Sequence, residues 1–113
     1  MDCVLCAIAR DDEAAERIYE DNGVLAVTPL RPMAPIHVLL FPKVHVADLP
    51  TFLLEHVADA GELMRRAALI AVDLDLTTRG YRLAWNFGPD TNQRIMHPHL
   101  HLLGGAMLSD KLA

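Results

Sequence analysis

The sequence predicts an α+β fold: a five-stranded antiparallel sheet covered by one long and one short helix. Three observations carry this expectation. Asp21-Asn22-Gly23 lies between two extended segments, and Asn-Gly in that position is hairpin chemistry. Apolar residues recur at three- and four-residue steps from Leu53 to Leu74, the period of an amphipathic helix. The remaining strand-like runs are joined by hairpins and short loops, which suits an antiparallel sheet with a helix over one face.

Taken in order, Cys3-Val-Leu-Cys6 leads into an Ala-rich, acidic stretch, and a short helix is expected over residues 7–17, with both cysteines in its first turn. Ile18–Glu20 and Val24–Thr28 form the two arms of the hairpin. Three prolines between Pro29 and Pro35 exclude regular structure, because proline fixes φ and removes a donor. Ile36–Phe41 follows as a strand that is apolar on both faces and therefore covered on both, ended by Pro42-Lys43. The long helix places Leu53, Leu54, Val57, Ala60, Met64, Ala67, Ala68, Ala71 and Leu74 on its apolar side, with Thr51 as its cap and Glu62 paired to Arg66. Tyr81–Phe87 is a strand, residues 88–92 a loop, and Arg94–Leu103 a last strand closed by Gly104-Gly105.

Composition narrows the function. Ten Lys and Arg stand against 15 Asp and Glu, a net charge of -5, so the chain lacks the basic excess that nucleic-acid or anionic-membrane binding needs. No apolar run reaches the roughly 20 residues of a membrane span. A chain of 113 residues fits one domain, 1–113, with no linker, repeat or low-complexity tract. Met1-Asp2-Cys3 has no charged leader or apolar segment, so the expected compartment is the cytoplasm, where a structural disulfide is disfavoured.

The chemistry is concentrated in six histidines and two cysteines. In His97-Pro98-His99-Leu100-His101, alternation along a strand would place all three imidazoles on one face, neighbours about 6.5 to 7 Å apart. A solvated polar face would explain one histidine but not three in strict alternation. A three-histidine catalytic zinc site is a rival reading, although the outer two histidines span too far to share an ion unaided. Cys3-x-x-Cys6 does not fit a thioredoxin-like motif, since no strand precedes it, and reads as a metal pair needing two further ligands, for which His45 and one of the three histidines are candidates. Two small buried hydrophobes are the bland alternative for the cysteines. His56 falls on the polar side of the helix and is expected at the surface.

These residues resemble the histidine triad (HIT) family of nucleotide-binding hydrolases and transferases. The likeness rests on His-x-His-x-His followed by two apolar residues and Gly-Gly. It extends to Cys3-x-x-Cys6, Ile18-Tyr19-Glu20-Asp21, Ala34-Pro35-x-His37, Pro42-Lys43-x-His45, Gly80-Tyr81-Arg82, Asn86 and Gln93. It spans nearly the whole chain and is nearest the phosphoramidase branch. The resemblance implies a hydrolase acting at the α-phosphorus of a nucleoside phosphoramidate or similar nucleotide conjugate, with His99 as the nucleophile that forms a nucleotidyl-histidine. His101 and His37 would donate to phosphate oxygens, and Asn86 and Gln93 would position phosphate and leaving group. Cys3, Cys6, His45 and His97 would hold a structural zinc with no open position, tying the N-terminus to the active-site strand. A homodimer is implied as well. The alternatives are a dinucleoside polyphosphate hydrolase and a non-catalytic nucleotide- or metabolite-binding module.

Several positions depart from the family pattern. Pro29 stands where an acidic residue usually accepts from the ribose hydroxyls, and a charged acceptor to a hydroxyl contributes roughly 1.5 to 3 kcal/mol. Arg94 stands where a small hydroxyl residue usually lies near the leaving group, and its guanidinium could bind an acidic or phosphate-bearing leaving group or simply face solvent. Pro98 requires that its missing N–H face no partner strand. The nucleotidylyltransferase branch shares His-Pro-His but has glutamine where His101 stands. The short tail after Gly105 lacks the tryptophan that the phosphoramidase branch often supplies across its dimer.

Overall fold

The computed structural model describes residues 3–112; Met1, Asp2 and Ala113, the ends of the expected 1–113 domain, lie outside the described residues. The elements run α1 (Val4–Ala9), β1 (Glu16–Glu20), β2 (Val24–Thr28), β3 (Ile36–Pro42), α2 (Leu49–Glu55), α3 (Val57–Asp73), β4 (Tyr81–Trp85) and β5 (Leu100–Gly104). The strands form one sheet in the order β1-β2-β3-β5-β4. Every neighbouring pair is antiparallel, as the sequence predicts.

Alternation in β2 and β3 gives the sheet two apolar faces. Val24, Ala26, Val38 and Leu40 point to one side and pack with Leu100 and Leu102 of β5 against Phe52, Leu63, Ala67 and Ile70 of the helices. Leu25, Val27, Leu39 and Phe41 point to the other and pack under Leu5 and Ile8 of α1. The two-sided hydrophobicity of β3 thus has the cover it requires. At the hairpin, Asp21 accepts from the N–H groups of Gly23 and Val24, both at 2.8 Å, which closes the turn.

Several expectations need correction. The first helix is Val4–Ala9, not 7–17: Asp11 takes a left-handed φ of 65°, and Arg17 reaches back to donate to the Ile8 carbonyl at 2.6 Å, so the acidic stretch turns over towards β1. The long helix is two helices, broken at His56 (φ -120°, ψ 48°), and its start is capped by Asp48, which accepts from the Thr51 N–H at 2.7 Å. The buried face also differs from the expected one. Ala60, Leu63, Ala67, Ile70 and Ala71 are the buried positions of α3, leaving Leu53, Leu54, Val57 and Met64 exposed. Arg66 reaches Asp21 at 2.7 Å, while Glu62 pairs with Arg65 at 3.6 Å. Finally, β5 begins at Leu100 and not at Arg94. The segment between β4 and β5 is a loop with a 3-10 turn at Pro89–Thr91 and a left-handed Asn92, so Pro98 meets no ladder.

β5 is held at its far end by Gly105, whose φ of 89° favours glycine and where a Cβ would come within 3.2 Å of Pro35. The register sets His101 opposite Leu39 of β3 and Ala84 of β4, and His37 opposite Leu103. Both histidines therefore share the face that lies away from α2 and α3.

Candidate functional site

His97, His99 and His101 do not form one row, because only His101 belongs to a strand. The loop before β5 turns His97 into the protein, where it is fully buried, and leaves His99 and His101 beside His37. The ring centroids of His37 and His99 each lie 5.2 Å from that of His101.

The backbone fixes the tautomers. The Met33 N–H donates to His37 Nδ1 at 3.0 Å, so the neutral His37 ring carries its proton on Nε2. That Nε2–H points at His101 Nδ1, 2.9 Å away, which must accept and so holds the His101 proton on Nε2. Burial keeps both rings neutral: it lowers His37 below the usual histidine value, and together with the neighbouring His99 and His37 it lowers His101 to about 4. His99 is set the opposite way. Its Nδ1 lies 2.8 Å from the His97 carbonyl, which can only accept, so the proton sits on Nδ1 and the Nε2 lone pair is free. The site thus offers a nucleophilic nitrogen on His99 and an N–H donor on His101. Both ring nitrogens of His37 are engaged within the protein, Nδ1 by the Met33 N–H and Nε2 by His101 Nδ1.

His97 serves a second cluster. Its Nε2–H donates to the Pro42 carbonyl at 2.7 Å, leaving the Nδ1 lone pair pointing at Cys3 Sγ (3.4 Å), Cys6 Sγ (3.6 Å) and His45 Nδ1 (3.2 Å). Cys6 Sγ is 3.4 Å from His45 Nδ1, and all four donor atoms lie within 4.8 Å of one another. One lone pair cannot satisfy three hydrogen bonds, but four donors around a cation can take this spacing. Tetrahedral zinc with bonds of about 2.3 Å to sulfur and about 2.05 Å to nitrogen requires S···N edges of about 3.5 Å and N···N edges of about 3.3 Å. The residues fit such an ion. Burial pushes the Cys6 thiol above its ordinary value, helped by the adjacent Cys3, so the pair gains from a cation that would favour thiolate. Burial also lowers His97 to about 4, which keeps its Nδ1 available as a ligand. The three-histidine open site is not built, since His97 Nδ1 and His101 Nδ1 face different partners.

A cavity of about 840 Å³ is lined by His37, His99 and His101 together with apolar residues of α1, β2 and the proline-rich loop. Arg94 and Pro29 line it too. Asn86 and Gln93 are not among its lining residues. Gln93 spends its side chain on its own loop, accepting from the Gly88 N–H at 2.8 Å and donating to the Ile95 carbonyl at 2.9 Å.

Comparison with known proteins matches this chain. The family model described as HIT domain matches residues 10–108. The chain belongs to the HIT domain family. Purine nucleoside phosphoramidase of Escherichia coli K12 is 32% identical over 110 residues, covering 97% of this chain and 92% of that protein. A HIT family hydrolase from Legionella pneumophila Philadelphia 1 has the same fold, with a TM-score of 0.94 at 33% identity, covering 99% of this chain and all of that one (100%). A Zn-bound histidine triad family protein from Mycobacterium smegmatis superposes with a TM-score of 0.77 at 36% identity, covering 100% of this chain and 81% of that chain.

As a HIT protein, the chain combines a hydrolase and nucleotide-binding fold with a donor group, Cys3, Cys6, His45 and His97, that could hold a metal. The alternating histidines and the Cys pair were legible as separate signals. The histidine tautomers and the clasp made by Gln93 were not, because each depends on a backbone group supplied by a distant or irregular segment. No helix of the described residues is long and apolar enough to cross a membrane.

Proposed function

We propose that this HIT protein hydrolyses a nucleoside phosphoramidate or similar nucleotide conjugate at its α-phosphorus, with His99 as nucleophile. The observation that carries the reading is the His99 tautomer: Nδ1–H is spent on the His97 carbonyl, which leaves the Nε2 lone pair free on a residue that lines one cavity with His101. His99 Nε2 forms a bond to phosphorus as the P–N bond to the leaving nitrogen breaks, and that nitrogen, protonated from solvent water, departs as the neutral amine. Water then cleaves the nucleotidyl-histidine and regenerates the imidazole. His101 Nε2–H donates to a phosphoryl oxygen as charge builds there, and a pre-set donor costs no reorganisation. Similarity to a purine nucleoside phosphoramidase supports this choice of leaving group. Wild type and His99→Ala are compared for amine release from adenosine phosphoramidate; loss of release in the variant is expected, and equal rates would sink the mechanism.

Zinc bound by Cys3, Cys6, His45 and His97 would be structural, four protein ligands leaving no site for water, and it would tie α1 to the loop that ends in His99. Asn86 takes its part by bounding the loop that carries the nucleophile, and Gln93 by bracing it. The partner is a small nucleotide, with no nucleic acid or membrane involved, and the compartment is the cytoplasm. A second copy of this chain completes the assembly. Val57, Gly61, Met64, Ala68 and Val72 form an exposed stripe on α3, and β4 is an edge strand whose residues Leu83, Ala84 and Trp85 carry none of the charges that guard β1. A non-catalytic binding module is the second reading, favoured by Pro29, whose side chain offers the cavity no acceptor for a ribose. A dinucleoside polyphosphate is the alternative substrate.

A further inference from the structure

The cations of this chain are unevenly used. Lys43, Arg10, Arg17, Arg65 and Arg66 make ion pairs, whereas Arg31, Arg79, Arg82, Arg94 and Lys111 make none among the described residues. Two of those five, Arg31 and Arg94, line the cavity that holds His99 and His101. Neither makes any hydrogen bond to another described residue through its guanidinium, and both are exposed. In a protein of net charge -5, two unpaired guanidiniums on one cavity are a local positive field set against the overall charge.

Their backbones are held in place. Arg94 lies between Gln93, whose side chain bridges Gly88 and Ile95, and Ile95 itself, which packs against the α1-side core. Arg31 lies between Pro29 and Pro32, whose rings restrict the chain on either side. Anchoring of this kind lowers the ordering cost of binding, since only the side chain has to be immobilised. Glu13 and Glu16 also line the cavity, and neither pairs with either arginine. A ligand anion would therefore meet free guanidiniums, with no existing ion pair to displace.

We propose that Arg31 and Arg94 form a second anion subsite, so that the ligand of this cavity carries a phosphate in addition to the one attacked by His99. This deepens the reading of the site as a nucleotide hydrolase and rests on it. The extra phosphate lies either on the leaving-group side or on the sugar, and an arginine recognises both alike through charge-assisted, paired N–H donors.

Calorimetric titration of the full protein with AMP, α,β-methylene-ADP and adenosine 3′,5′-bisphosphate tests the subsite and separates the two sources. At least one of the latter two is expected to bind about tenfold tighter than AMP, the preference weakening as salt is raised because the arginines are exposed. The leaving-group source is shown by the methylene analogue, the sugar source by the 3′,5′-bisphosphate. In the double variant Arg31→Ala, Arg94→Ala the ratio is expected to fall below about twofold, and Arg94→Lys is expected to keep part of it. Affinities for all three ligands within twofold of one another, no binding of any, or a ratio unchanged in the double variant would overturn the subsite. Amine release from adenosine phosphoramidate by wild type is followed in parallel. Release without the preference removes the subsite alone, whereas the preference without release leaves the subsite standing and removes the hydrolase reading.

Discussion

Replacing His37 by Phe isolates the role of the histidine pair. The substitution keeps a flat ring in a buried position and removes both ring nitrogens, so the Met33 N–H and His101 Nδ1 each lose a partner. Met33 is largely exposed and water can replace the bond it loses. His101 Nδ1 cannot be served in that way: its ring is pressed between His37 and His99 on the sheet face, and burial already holds it near a pKa of about 4. A buried acceptor left without its donor costs about 1–3 kcal/mol. With no donor on Nδ1 the tautomer is no longer fixed, and the form protonated on Nδ1 puts the lone pair of Nε2 where the phosphoryl oxygen needs a donor. The expected loss in kcat/KM for adenosine phosphoramidate is therefore about 5- to 150-fold. His37→Gln, which retains an amide N–H, should regain part of it. Nitrogen-15 ring shifts give an independent reading: His37 and His101 should be protonated on Nε2 and His99 on Nδ1. If His37→Phe stays within twofold of wild type, or if wild-type His101 proves to be protonated on Nδ1, the tautomer chain is wrong.

Three further outcomes are expected. Cys3→Ser should lose bound zinc, measured by elemental analysis, and lower the melting temperature, because it removes one of four ligands that join α1 to the His97 loop; retention of the metal would argue against the four-ligand site. In metal-stripped protein, His97 and His101 titrate near pH 4 when folded, against about 6.5 when unfolded, so the unfolded chain binds the proton first as pH falls. Their contribution is complete above pH of about 6.5 and is lost towards about 4, a window mostly above the range in which Glu20, Asp21 and Asp48 titrate, all three being held below their ordinary values. The melting temperature should fall from pH of about 6.5 to about 4.5, less steeply in His101→Asn, and a flat profile would contradict the burial argument. Met64→Lys places a charge in the exposed stripe of α3 and should convert the proposed dimer to a monomer in sedimentation without unfolding it, since Met64 is outside the buried face of the helix; a wild type that sediments as a monomer would refute the proposed dimer.

Local periodicity carried most of the fold. The hairpin at Asn22-Gly23, the two-faced β3 and the antiparallel sheet are all written in adjacent residues, since a strand or turn needs only its neighbours to declare itself. Phase was harder to read. Met64 and Leu63 are both apolar, and only the packing of α3 against the sheet decides which of them faces it. The start of β5 was misplaced for a similar reason. His97-Pro98-His99 has the alternation of a strand, but β4 ends opposite Leu100, and neither Pro98 nor Pro42 at the end of β3 has an N–H to give a ladder; pairing is what makes a strand.

The sequence by itself determined the donor inventory and the family: two cysteines, the histidines and their order along the chain, with a covered antiparallel sheet to hold them. Tertiary structure alone decided how those histidines divide. His97 turns inward because the Pro42 carbonyl takes its Nε2–H, His99 keeps a free Nε2 because the His97 carbonyl takes its Nδ1–H, and His37 serves His101 because the Met33 N–H occupies its other nitrogen. Each imidazole is the same residue with two nearly equivalent nitrogens. Which one carries the proton is set by the backbone group that the fold brings to it, and two of those groups, the Met33 N–H and the His97 carbonyl, come from irregular segments outside any repeating pattern that a sequence can display.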